Sequence, residues 1–241
     1  MRSIKSLLFL TAACLSMNFS FAQTADEIIT KNVSAIGGID NWKKVNSMVM
    51  SGSMSMQGTE IALTRSVVHK TGFRNEISLM GMTGYQILTP TEGWSFMPFG
   101  GQTAPEAMTA DDVKESQEDL DAQGALVDYA SKGHTVEYLG KEEVDGTECH
   151  KVKVAYKSGR SETMFFDPAS FYLIKSVSVR KANGQEVEMS TLFSNYEKLP
   201  EGIVVAKNMS LPLGPGMNAD FTVSKVEVNK TIDPSSFAPA K

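Results

Sequence analysis

Apolar and polar residues alternate with a period of two from Ser47 onward. In Ser47–Met56, Met48, Met50, Met54 and Met56 share one parity, while Val49, Ser51, Ser53 and Ser55 take the other. Successive side chains of a strand point to opposite faces, so the four methionines line one face. A two-residue turn at Gly58-Thr59, with glycine first, predicts Met56 opposite Ile61 and Met54 opposite Leu63. The second strand then carries the same face through Ile61, Leu63, Val67 and His69, with Arg65 as its polar intruder opposite Gly52. A turn at Lys70-Thr71-Gly72 leads to a third strand that adds Phe73, Ile77 and Leu79. Methionine is flexible and polarisable, and is over-used where a surface must accept variable apolar partners. The same pattern on one strand alone also describes ordinary core.

Helical spacing occurs in two places. Thr24, Asp26 and Glu27 form an N-cap and capping box ahead of Ile28, Ile29, Asn32, Val33 and Ile36, and Gly37-Gly38 stops the helix. A short turn at Ile39–Trp42 follows, with Trp42 expected to seal the sheet edge. The second place is Gly100–Lys132, where Thr109 caps a helix beginning Asp111-Asp112. Val113 and Leu120 lie on one side of it. A second apolar group, Ala125, Leu126, Val127, Tyr129 and Ala130, follows Gly124. The segment is expected as one broken helix or two short ones laid over a sheet, forming a lid through Val113, Leu120, Leu126 and Val127.

Elsewhere the chain reads as hairpins. Asp145-Gly146 and Asn183-Gly184 are strong tight-turn signals, and Phe237 in the proline-containing tail is expected to act as a plug. The fold class is mainly β (α+β): a single strongly curved antiparallel sheet of about 11–12 strands, forming an unclosed barrel with an N-terminal helix and a helical insertion as lid. Sequential strands usually pair with their neighbours, and so many strands in one twisted sheet curl. The concave side then needs apolar cover.

Composition narrows the function. Arg2, Lys5, the apolar run Leu7–Leu15 and Ser20-Phe21-Ala22 read as a signal peptide over residues 1–22, leaving residues 23–241 as one exported, periplasmic domain. Thr11-Ala12-Ala13-Cys14 loosely resembles a lipoprotein box, but lipidation at Cys14 is not expected, because apolar residues continue to Phe21. Net charge is −5, and −7 once Arg2 and Lys5 are removed. Without a basic stripe this argues against nucleic acid as a partner. After cleavage only Cys149 remains, read as a small buried hydrophobe.

Chemistry-bearing motifs are lacking. There is no nucleophile elbow, no paired-histidine zinc motif and no phosphate-cradling glycine loop. His69, His134 and His150 fall on different strands, and Cys149 and His150 are adjacent, so they face opposite ways. No catalytic residue, metal or cofactor is expected, and the chain reads as a non-enzyme and a monomer.

Laid out this way, the chain resembles the LolA/LolB-like family of periplasmic lipoprotein carriers. The resemblance rests on Ile36-Gly37-Gly38 with Trp42 before the methionine hairpin, on Phe165-Phe166-Asp167-Pro168 with Tyr172-Leu173-Ile174-Lys175, and on Val226-Glu227-Val228-Asn229 with Ile232-Asp233-Pro234 and Phe237. It implies a lidded, unclosed barrel carrying lipoprotein acyl chains from an inner-membrane release complex to an outer-membrane acceptor. The family's Arg-Pro-x-x-Phe-Arg pattern corresponds here to His69-Lys70-Thr71-Gly72-Phe73-Arg74, so its lid-contacting arginine is replaced by His69, with Arg65 nearby on the same face. Two functions follow: a carrier of acyl chains or related lipids, or a lipid- or lipoprotein-sensing accessory module of the envelope. Under the first, Met48, Met50, Met54, Met56, Ile61, Leu63, Val67, Phe73, Ile77 and Leu79 form the ligand wall, with Arg65 and His69 as the polar gate.

Overall fold

A computed structural model describes residues 24–56, 58–182, 185–214 and 217–239. The segment expected as a signal peptide, with Cys14, and the expected Asn183-Gly184 turn lie outside the described residues. Among the described residues thirteen strands form one antiparallel sheet. They are β1 (Ser47–Met56), β2 (Thr59–Val68), β3 (Gly72–Leu79), β4 (Met82–Leu88), β5 (Gly93–Phe96), β6 (Glu106–Ala107) and β7 (Thr135–Val144), followed by β8 (Thr147–Ala155), β9 (Ser161–Phe166), β10 (Leu173–Ala182), β11 (Gln185–Lys198), β12 (Val204–Gly214) and β13 (Met217–Val228). The order across the sheet is β6-β5-β4-β3-β2-β1-β13-β12-β11-β10-β9-β8-β7. Two meanders, β1–β6 and β7–β13, are therefore joined along one seam, β1 against β13. The curled sheet stays open between β6 and β7.

The first hairpin keeps its predicted face and changes its register. Met56 pairs with Thr59, Met54 with Ile61, Gly52 with Leu63 and Met50 with Arg65. Gly58, at φ +78°, takes the second turn position rather than the first. The slip is two residues, and since side chains repeat every two, Met54 and Ile61 still share a side.

Helix α1 (Ala25–Ala35) carries the capping box expected of Thr24 and Glu27 and buries Ile28, Ile29, Asn32 and Val33 against the sheet. Asn32 Nδ2 donates to the Phe171 carbonyl at 2.8 Å, satisfying a polar group in a dry site. The helix ends where Gly37 adopts φ +114° and its Cα passes so close to Gly202 that a Cβ would sit 2.3 Å from that carbonyl oxygen. Trp42, on the short helix α2 (Ile39–Trp42), does not seal a sheet edge. It lies in the main core with Met48, Leu199 and Ile203, its Nε1–H donating to the Ile36 carbonyl at 2.9 Å.

The insertion is less helical than its sequence suggested. Helix α3 (Ala110–Glu115) is capped by Thr109, and a single 3-10 turn covers Gln117–Leu120. The apolar group Ala125–Ala130 forms turns, because Gly124 (φ +84°) and Asp128 (φ +54°) adopt left-handed conformations that interrupt any helix. This strap is the connection between β6 and β7, so it runs from one free edge of the sheet to the other. On the opposite face, Phe237 packs on Tyr85 and Ile87 beneath the tail. Gly72 permits this: a Cβ there would lie 2.4 Å from the Phe237 ring.

Candidate functional site

An apolar cavity of about 360 Å³ lies between the inner face of the sheet, α1 and the strap. Met48, Met50, Arg65 and Val67 form one side, Met164, Phe193, Tyr196 and Met209 the other, and Ala122–Val127 the roof. Each parity pattern delivers its residues inward, and the curl brings β1–β2 opposite β9–β12.

The sequence-derived wall divides into four groups. Met48, Met50 and Val67 line the cavity, roofed by Leu126 and Val127. Met54, Ile61, Leu63, Ile77 and Leu79 pack instead with Phe221, Val223 and Ala219 in a second apolar cluster farther along the same face. Phe73 packs with Leu88 against Val113 and Leu120, holding the first half of the strap to β3 and β4. Met56, at the strand end, is 40% exposed. Met164, Leu173, Phe193, Tyr196, Val204, Val205, Ala206 and Met209 were not singled out as wall. Their meeting with β1 depends on sheet curvature, which no local pattern encodes.

Polar contacts fasten the strap over this cavity. Arg65 Nη2 lies 3.3 Å from Asp119 Oδ1, and its guanidinium sits 4.8 Å from the centre of the Phe73 ring. Asp121 is the hub. Its Oδ2 accepts from Lys132 Nζ at 2.5 Å, its Oδ1 accepts the Gln123 backbone N–H at 2.9 Å, and His69 Nδ1 is 3.2 Å away. That last contact is poorly aligned and leaves His69 Nδ1 without a formed hydrogen bond. We read it as electrostatic proximity. Burial pushes the His69 pKa below 6.5, with Asp121 opposing and Lys70 and Lys132 reinforcing the shift. Bonds to backbone carbonyls complete the fastening: the Lys70 backbone N–H donates to the Leu120 carbonyl at 2.8 Å, and the Gln123 side-chain Nε2 donates to the carbonyls of Lys43 and Val45 at 3.3 Å.

Among the described residues no group of three or more His, Cys, Asp or Glu side chains could hold a metal. Cys149 is buried with Phe165 and Val144, and burial raises its thiol pKa. His150 stacks on Phe171, ring centres 5.9 Å apart. Among the described residues no helix is long and apolar enough to cross a membrane.

No protein-family model and no curated protein matches the sequence. Solved structures do resemble the fold. A DUF1329 family protein from Desulfovibrio piger superposes with a TM-score of 0.56 at 13% identity, covering 90% of this chain and 98% of that one. A LolA superfamily protein from Nitrosomonas europaea gives 0.55 at 12% identity, covering 89% and 97%. A domain described as a putative outer membrane lipoprotein-sorting protein from Vibrio parahaemolyticus gives 0.51 at 14%, covering 88% and 94%. The architecture is thus an unclosed antiparallel barrel with a strapped apolar interior. Its fold is LolA-like.

Proposed function

We propose that this protein is a periplasmic, non-enzymatic carrier that holds acyl chains of lipoproteins or related lipids beneath the strap. The cavity carries the reading: an apolar space walled by methionine and roofed by a short-turn segment that is held by its buried Ala122 and Val127 and by the polar contacts of Asp119, Asp121 and Gln123. Ligand pockets span roughly 300–1,000 Å³, so the observed space suits part of one chain, and fuller loading requires the strap to move. Each buried methylene contributes about 0.8 kcal/mol, on the order of 12 kcal/mol gross for sixteen carbons. A carrier must also release, and displacing the ion pairs and turns of the strap offsets part of that gain. Residues 1–22 act as the export signal in this reading, with an inner-membrane release complex and an outer-membrane acceptor as partners. The test is extraction of protein purified from periplasm, followed by mass spectrometry and titration with a fluorescent fatty acid. Co-purifying lipid and saturable uptake are expected, and absence of both rejects the proposal.

A further inference from the structure

Beside the strap lies a second cleft of about 490 Å³. Three separate pieces of chain converge on it: the β2–β3 turn with Lys70, helix α3 with Lys114, and the β8–β9 turn with Lys157. The chain as a whole carries −5, so this local accumulation of ammonium groups runs against the global charge. The two acids at the cleft are already matched. Asp121 is held by Lys132 at 2.5 Å. Glu118, whose side chain is 7% exposed, accepts the Ser158 hydroxyl at 2.9 Å and lies 3.9 Å from Arg160. Lys70, Lys114 and Lys157 have no ion pair among the described residues, and with Lys132 they outnumber the two acids that line the cleft.

A neutral donor sits among them. His134 is only 8% exposed, and its Nδ1 accepts the Lys157 backbone N–H at 3.1 Å. An accepting Nδ1 places the ring proton on Nε2. No hydrogen-bond partner is found for that Nε2–H among the described residues, and the ring lines the cleft. A tautomer-fixed N–H at the cleft wall, on a ring held edge-on to Tyr156 at 5.2 Å, together with three ammonium groups that make no ion pair is a donor set open to an acceptor. An oxyanion supplies several acceptor oxygens and the missing negative charge at once, and charge-assisted hydrogen bonds are the strong kind.

We propose that this cleft binds a phosphate-type oxyanion, through Lys70, Lys114, Lys157 and the Nε2–H of His134. The proposal stands apart from the acyl-carrier reading, since inorganic phosphate alone is sufficient as a probe. The anion could reach the cleft as free phosphate or as the phosphate of a lipid headgroup. Because Asp121 borders both this cleft and the apolar cavity, a headgroup here could sit beside its own chain.

The experiment is a nuclear magnetic resonance titration of the whole chain with inorganic phosphate at constant ionic strength. Saturable shifts are expected at the amides of Lys70, Lys114, His134 and Lys157. The exposed double substitution Lys114→Gln with Lys157→Gln should weaken binding at least tenfold, while Lys153→Gln with Lys198→Gln, exposed lysines elsewhere, should leave it unchanged. A short-chain phosphatidic acid below its aggregation concentration forms the second arm. Tighter binding than inorganic phosphate assigns the site to a headgroup, and equal binding assigns it to the free anion. Absence of saturable shifts in the wild type, or equal weakening by both double substitutions, overturns the proposal. Failure of fatty-acid uptake with phosphate binding intact would remove only the carrier reading.

Discussion

The backbone N–H of Lys70 donates to the carbonyl of Leu120 at 2.8 Å, joining the turn between β2 and β3 to the strap by a main-chain bond. Short of proline at position 70, which lacks the N–H, no substitution removes that bond directly. The strap is held by this fixed point and by side-chain contacts on either side of it, and those contacts can be tested one at a time.

Asp121→Asn should loosen the strap. It takes away the carboxylate that partners Lys132, whose side chain is only 15% exposed. Leaving a largely buried donor poorly satisfied costs about 2 kcal/mol. Denaturant unfolding should show a loss of that order, and hydrogen exchange should quicken over residues 117–128 more than in the strands.

Arg65→Glu sets a like charge against Asp119 and removes the cation above Phe73. Both partners are partly exposed, so global stability should change by less than about 1 kcal/mol. Under the carrier reading, fluorescent fatty acid should enter faster, measured by stopped flow. An unchanged rate would remove Arg65 as a gate.

Met50→Trp and Met54→Ala should separate cavity wall from core. Met50 lines the apolar cavity, whereas Met54 is buried in the cluster with Phe221 and Ile61. Tryptophan at position 50 should fill the space and lower lipid capacity with the fold retained. Alanine at position 54 should cost about 2–5 kcal/mol, with uptake per folded molecule preserved.

Acid should destabilise the protein in a window set by its histidines. Burial lowers the pKa of His69, His134 and His150 below 6.5. The unfolded chain therefore binds more protons than the native one as pH falls. This contribution is complete above about pH 6.5 and is lost progressively toward the lowered native values. Carboxylates with depressed pKa, such as Asp167, act only below 3.8. Denaturation midpoints followed across pH 6.5 should fall on the acid side, and less steeply in His150→Phe.

Much of the fold was legible because its signals are local. The capping box at Thr24, the left-handed glycines after Ile36 and the Asp145-Gly146 turn each specify themselves within a few residues. The methionine face was legible too, since parity survives a two-residue slip, although the register did not. The strap was read as helix because Ala125–Ala130 is apolar at helical spacing. Two left-handed residues, Gly124 and Asp128, prevail there, and the sequence marks only the first. The cavity was legible by half. Its β1–β2 side follows from alternation, while Phe193, Tyr196 and Met209 face it only because the sheet curls.

The seam between β1 and β13 has a kinetic consequence. Each meander is a series of near-neighbour hairpins, which close small loops, whereas Met48 must find Val228 from the far end of the chain. Loop-closure entropy is paid before such a distant pairing returns anything. The seam should therefore zip last, after both wings exist. In pulse-labelled refolding, the amides bonded across β1 and β13 should gain protection later than those of β7–β8. If they gain it at the same time, the wings do not form independently.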